Sequence, residues 1–234
     1  ALRKTAREVY ASPGGLRALV ADLSKVAISD PACGSLLQPL LLFKGFHALA
    51  VHRVAHALWQ TGTANAAGAA PGRTAALLLQ AKISEKWGAD IHPGAKFGEG
   101  CMLDHATGVV IGATAEIGRD CYLLHGVTLG SSGKPVADPE TKRHPSIGAG
   151  CILGAGCTVL GGHVKVGDKV SVGAGAVVTK SVPDGATVVG ANRVVRAGKA
   201  PEKRAKGKVG AGAAPPKPTP QAAAPCHVRP RSRL

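Results

Sequence analysis

Three short segments bring ionisable side chains together in patterns that suit proton transfer and anion binding. They read Asp90-Ile91-His92-Pro93, Leu103-Asp104-His105-Ala106-Thr107-Gly108 and Arg143-His144-Pro145. A histidine titrates near neutral pH and can take the proton from a weak nucleophile such as an alcohol. A carboxylate on its far ring nitrogen fixes the tautomer and favours the imidazolium that forms. Arginine offers a planar fork that fits a carboxylate in two hydrogen bonds. Taken singly, each residue has a plainer reading. A histidine at a turn is usually a solvent-facing polar residue, Asp90 can cap a turn, and Asp30 before Pro31 is a common helix-ending pair. His52 and His56 stand four apart, like a metal pair, but read as satisfied helical histidines. The spacing of His92, His105, His125, His144 and His163 matches no three-histidine zinc site, so no metal is expected.

These segments lie on a repeat. An aliphatic or aromatic residue returns every sixth position at Ile91, Phe97, Leu103 and Val109, then at Ile111, Ile117, Leu123 and Leu129. The pattern resumes at Ile147, Leu153 and Val159, and again at Val166, Val172 and Val178. A period of six fits neither an amphipathic helix nor a hairpin meander; it is the signature of a parallel β-helix of hexapeptide repeats. Each repeat supplies a short strand and a turn. The small residue four positions after the aliphatic one, a slot held by Cys101, Cys121, Cys151, Cys157 and Ala176, shares the interior. His125 occupies the same repeat position as His105 one coil later and is read as structural.

Residues 1–89 read as helical. Leu16, Leu19, Val20 and Leu23 recur at helical spacing. Ser35 is expected to cap a long helix with Pro39 in its first turns and Gly62 just past its end. Asn65–Gly72 reads as a flexible link and Thr74–Trp87 as a second short helix. The expected organisation is a helical domain over 1–89, a β-helix over 90–196 and a disordered Ala/Pro/Lys/Arg-rich tail over 197–234.

Composition bounds the function. The chain has 234 residues and a net charge of +15, with nine basic residues after Arg196 against Glu202 alone. Aromatic residues make up only 3%, so the body has neither the stacking platform nor the charge stripe of a specific nucleic-acid binder. Six cysteines include no Cys-x-x-Cys, and the repeat slots make most of them buried free thiols, in keeping with a reducing compartment. No apolar run approaches the ~20 residues of a membrane span. The chain begins at Ala1 without Met, as a processed or trimmed product would. The expected location is the cytoplasm, or a plastid or mitochondrion after removal of a transit peptide.

The order Asp90-Ile91-His92-Pro93, the Asp104-His105-Ala106-Thr107-Gly108 segment, Gly126-Val127-Thr128-Leu129-Gly130 and Arg143-His144-Pro145 resembles the serine acetyltransferase family. Upstream, Asp30-Pro31-Ala32 and Lys44-Gly45-Phe46-His47-Ala48-Leu49 resemble its helical domain, so the likeness covers roughly residues 14–196. The resemblance implies an α+β fold, with an N-terminal helical domain followed by a left-handed parallel β-helix. It implies transfer of an acetyl group from acetyl-CoA to L-serine, the first step of cysteine synthesis, with direct attack on the thioester and no permanently bound cofactor. His105 then corresponds to the general base, Asp90 to the carboxylate that orients it, and His144 to a second active-site histidine that stabilises the oxyanion. Asp30 and Asp104 correspond to contacts with the substrate ammonium and Arg143 to the partner of its carboxylate. Gly130, Ser131, Ala155 and Ala174 match the CoA-binding surface. The family implies a homotrimer with sites between neighbouring prisms, a dimer of trimers being left open by the short N-terminus. It also implies O-acetylserine sulfhydrylase as a partner, docked through the aliphatic C-terminus, here Leu234.

The chain departs from the family pattern at several positions. Ala113 stands where Glu is usual, Ser131 where Gly is usual and Lys142 where Asp is usual. The loop over 131–142 is about four residues long beyond the usual, and Gly190-Ala191-Asn192-Arg193 is a contracted form of a terminal motif. Two other readings stand beside the first: a hexapeptide acetyltransferase acting on a sugar or antibiotic hydroxyl, and a weakly active scaffold that binds the sulfhydrylase.

Overall fold

The computed structural model describes residues 2–62, 70–133, 141–190 and 193–195. Five helices come first: α1 (Leu2–Ala11), α2 (Pro13–Ser29), α3 (Leu37–Leu42), α4 (Lys44–Thr61) and α5 (Pro71–Trp87). Ser12 caps α2 by accepting the Gly15 N–H (3.1 Å), and Pro13 opens the first turn, where its missing N–H costs nothing. The apolar set Leu16, Leu19, Val20 and Leu23 is not the buried face of α2. Leu16 and Val20 are exposed, and the buried residues are Ala18, Asp22 and Val26, at a spacing of four.

Asp22 is inside because Arg53 of α4 meets it in a two-bond fork (2.7 and 2.9 Å). The backbone N–H of Cys101 donates to the same carboxylate (2.9 Å), and Arg53 reaches on to the Gly98 carbonyl (2.8 Å). One buried ion pair therefore joins two helices to a corner of the coil.

The single long helix expected from Ser35 is two helices, broken at an extended Phe43. The break seats α4 on the coil: Gly45 lies so close to the Leu103 carbonyl that a Cβ there would overlap it. Gly62 ends α4 as expected, whereas α5 begins at Pro71 rather than Thr74. Residues 65–69 of the expected link, with 63 and 64 before them, and the tail over 197–234 lie outside the described residues.

From Asp90 the chain winds as a three-faced parallel β-helix, left-handed in sense. The first face stacks β1 (Asp90–Ile91), β4 (Val110–Ile111), β7 (Thr128–Gly130), β10 (Thr158–Leu160) and β13 (Val177–Val178). The second stacks β2 (Lys96–Phe97), β5 (Glu116–Ile117), β8 (Ser146–Ile147) and β11 (Lys165–Val166). The third stacks β3 (Met102–Leu103), β6 (Tyr122–Leu123), β9 (Ile152–Leu153), β12 (Ser171–Val172) and β14 (Thr187–Val189), with β15 (Arg193–Val195) antiparallel at its end.

The six-residue pattern is the core. Every aliphatic member of the series is buried, as are the small-residue slots Cys101, Cys121, Cys151, Cys157 and Ala176; Phe97 is half-buried at the helix contact. Each fully buried aliphatic side chain contributes roughly 1.5–3 kcal/mol, and stacking lets each coil pair its backbone with the next. No helix among the described residues is long and apolar enough to cross a membrane.

Candidate active site

Strand register sorts the chemistry-bearing residues onto two corners of the prism. Leu103 pairs with Leu123, Leu123 with Leu153, and Leu153 with Val172. Two residues further on, His105, His125, Ala155 and Ala174 therefore stack up the corner between the third and first faces. The turn ladder agrees: the Gly156 N–H donates to the His125 carbonyl and the Gly175 N–H to that of Ala155, each at 2.9 Å. With coils ~4.8 Å apart, Ala155 lies ~10 Å and Ala174 ~14 Å from the level of His105.

The His105 turn differs from those stacked on it. His105 (φ 58°) and Ala106 (φ 57°) are both left-handed, whereas the positions stacked on Ala106 are Gly126, Gly156 and Gly175. Non-glycine residues held there cost of order 1–3 kcal/mol each. The imidazole points outward from this turn: its side chain is 71% exposed beside an Asp104 that is 18% exposed. Lys44, at the start of α4, donates to the Thr107 hydroxyl (2.5 Å) and braces the turn. Asp30, Asp104, Lys44 and His105 line one cavity of about 380 Å³, floored by Val26, Phe46 and Leu103. Asp30 ends α2, and its carboxylate accepts the Ala32 N–H (2.8 Å) in a tight local turn.

The second set gathers at the corner between the first and second faces. Asp90, His92, Ser131, Arg143 and His144 line one depression there, and Gly130 ends β7 beside it. Thr114 organises this corner. Its hydroxyl accepts the backbone N–H groups of Arg143 (2.9 Å) and His144 (3.1 Å). His144 Nδ1 accepts the Thr114 N–H (3.2 Å), and the Thr114 hydroxyl, its oxygen already accepting twice, donates to the same nitrogen (2.9 Å). The network leaves the His144 proton on Nε2, as a donor. Burial, then the charge of Arg143, lowers the His144 pKa, so the ring is the neutral donor form at neutral pH. His92 is lowered by burial as well, against the opposing pull of Asp90. Among the described residues Arg143 has no carboxylate partner, and its buried Nε has no hydrogen-bond partner.

Asp90 and His105, expected to pair, are not bonded to each other within the chain. Asp90 accepts the Gln80 amide of α5 (2.6 Å). The carboxylate nearest His105 is that of Asp104, 3.7 Å away, and the ring of His125 stands 5.9 Å off centroid to centroid. The reason is topological: Asp90 sits on the first face toward the Arg143 corner, and His105 on the opposite corner of that face. The ten expected residues thus divide evenly, with Asp30, Asp104, His105, Ala155 and Ala174 in one set and Asp90, Gly130, Ser131, Arg143 and His144 in the other. Thr114, Gln80 and Tyr122 were not anticipated. Thr114 had a signal, since aligning Ile117 on Ile147 sets position 114 against position 144. Gln80 had none. No cluster among the described residues suits a metal; His56 donates to the Pro93 carbonyl (2.7 Å), and His52 is buried against Phe97.

Comparison with known proteins decides the family. The family described as "Serine acetyltransferase, N-terminal" matches residues 1–51. Serine acetyltransferase 2 of Arabidopsis thaliana is 48% identical over 169 residues, covering 72% of this chain and 48% of that protein. The soybean serine acetyltransferase solved with serine is 44% identical with a TM-score of 0.72, covering 81% of this chain and 72% of that one. The chain belongs to the serine acetyltransferase family. The serine acetyltransferase of Brucella abortus solved with coenzyme A, at 40% identity, aligns with a TM-score of 0.74 and covers 83% of this chain and 72% of its own. The chain spans about half the length of the curated serine acetyltransferases it matches.

Proposed function

We propose that the protein is a serine O-acetyltransferase, forming O-acetyl-L-serine and CoA from L-serine and acetyl-CoA. One observation carries the reading. The residues that a zwitterionic amino alcohol and a thioester require are all present, but in two half-sets at opposite corners of one prism face. A three-fold assembly of prisms brings the His105 corner of one copy against the Arg143 corner of the next. The outer side of the shared face carries the exposed apolar residues Val110 and Val177, which suits cover by a neighbour. Relatives solved with serine and with coenzyme A support the two substrates.

In this reading Asp30 and Asp104 receive the serine ammonium and the neighbour's Arg143 its carboxylate. His105 takes the hydroxyl proton as the oxygen attacks the thioester carbonyl, and the neighbour's Asp90 steadies the resulting imidazolium. The oxyanion of the tetrahedral intermediate accepts the Nε2–H of the neighbour's His144. Collapse breaks the C–S bond, and the departing thiolate takes the proton back from His105. The pantetheine arm lies along the His105 corner, where Ala155 and Ala174 offer no bulk, with Gly130 and Ser131 across the groove. No cysteine competes as nucleophile on this corner: the thiols of the repeat are buried. The trimer, any pairing of trimers and sulfhydrylase docking through Leu234 belong to the same proposal.

The test is release of free thiol from acetyl-CoA by the full chain. Release that needs L-serine, and that galactose-type sugars do not replace, is expected. Turnover with the sugars, or none with serine, overturns the reading.

A further inference from the structure

We infer that Tyr122 is a positioning residue for the amino-acid substrate: its phenol fixes the carboxylate of Asp104 that meets the substrate ammonium. The inference rests on the role given to Asp104 above. Tyr122 starts β6 on the third face, one coil above the Asp104 turn, and its hydroxyl donates to Asp104 Oδ2 at 2.7 Å. It occupies an outward strand position, so no core-packing requirement explains a tyrosine there.

The two carboxylates of the cavity are held by different means. Asp30 has a local anchor in the Ala32 N–H. Among the described bonds, the donor that holds Asp104 is the phenol. That phenol stays protonated throughout the working range. Burial, the bond to Asp104, and the charges of Asp104 and Asp30 together push its pKa up to about 12. It is thus a permanent donor to the Asp104 carboxylate.

Fixing Oδ2 also fixes Oδ1. That oxygen stays 3.7 Å from His105 Nε2, beyond hydrogen-bond reach. Asp104 therefore remains available to an ammonium, and the imidazole remains unengaged as a base. Without the phenol hydroxyl, the carboxylate is free to turn toward His105. Within the chain the other groups facing that ring are Asp30 and Lys44 across the cavity and His125 on the next coil; in the proposed assembly the neighbour's Asp90 faces it as well. Closure by Asp104 would stabilise the imidazolium and move the pH dependence of turnover upward.

The experiment compares the full-length wild type, Tyr122→Phe, Asp104→Asn and the double variant in the thiol-release assay. Phe keeps the ring and its packing, and a thermal melt of each protein checks the fold. For Tyr122→Phe the KM for serine is expected to rise roughly tenfold, the size of one lost bond to a charged group. The KM for acetyl-CoA stays put, the fall in kcat is smaller, and the acidic limb of the kcat/KM profile shifts to higher pH. On the Asp104→Asn background the same substitution is expected to add nothing. An unchanged serine KM, or a full additive effect in the double variant, overturns the role of Tyr122 while leaving the acetyltransferase reading intact. A wild type without serine-dependent release overturns both.

Discussion

Gly112 gives the most direct handle on His144. It follows β4, where the chain leaves the first face, and the His144 ring lies against it. A Cβ built at Gly112 would overlap Nε2 and Cδ2 of the ring and stand 2.6 Å from Cε1. Ordinary contact between such atoms is ~3.5–4.0 Å, so in Gly112→Ala the ring must retreat by ~1 Å or more. The backbone at Gly112 is not left-handed, so the substitution acts through the ring and not through φ. Retreat breaks the two bonds from Thr114 to Nδ1 and carries the Nε2–H away from the developing oxyanion. Loss of one such donor typically costs about 10²–10³ in kcat. Steady-state thiol release at saturating acetyl-CoA and serine is therefore expected to show kcat down by about that factor, with the far-UV spectrum unchanged. Gly185→Ala is the control. Gly185 is left-handed (φ 65°) with nothing near its missing Cβ, so that variant should lose about 1–2 kcal/mol of stability and keep its kcat. Retention of kcat within threefold by Gly112→Ala would refute the part given to His144.

Three further outcomes follow from the framework around the site. Asp22→Asn leaves Arg53 buried without its counter-charge and should cost about 3–5 kcal/mol in denaturant unfolding; a loss below 1 kcal/mol would show that the fork is not the rivet described. His52 is buried and its pKa is pulled down from 6.5 to about 3, chiefly by burial. Below pH 6.5 the unfolded chain binds a proton that the folded one refuses. Its contribution therefore falls as pH drops from 6.5 toward 3, by about 1.4 kcal/mol per unit. The difference in unfolding free energy between wild type and His52→Gln should track that slope, and a flat difference would contradict it. The thiols of Cys121 and Cys157 are pushed up to about 12, the first mainly through its bond with Cys101 and the second by burial. A disulfide reagent should leave Cys101, Cys121, Cys151 and Cys157 unmodified in the folded protein, by peptide mapping, and modify the half-buried Cys33.

The coil was legible because its cause is local. One inward aliphatic residue in every six, with a small residue four positions later, meets no competing pattern, and the aligned aliphatic residues give the register that stacks His105 on His125 and Thr114 on His144. The helical region was less so. Its inner surface is set by partners on the coil: Asp22 is buried because Arg53 meets it, and the break at Phe43 exists because Gly45 must approach Leu103. Neither partner has a fixed offset in sequence. The site residues were legible as a list but not as a geometry. Sequence order sets Asp90 and His105 fifteen positions apart, which hides that one coil of three two-residue strands carries the chain from the first face at Asp90 round to the far corner at His105. Tyr122 was missed because it reaches Asp104 diagonally across coils, outside the register that pairs it with Met102.

The central claim is that each site is shared between two copies, with His105 from one and Arg143 from the next. Subunit complementation addresses it directly. His105→Ala and Arg143→Ala chains, each inactive alone, are dissociated, mixed in equal amounts and reassembled. A shared site predicts activity restored to about a quarter of wild type, the share of interfaces at which both intact halves meet in a randomly mixed symmetric oligomer. Mixed oligomers that form but stay inactive would contradict the account.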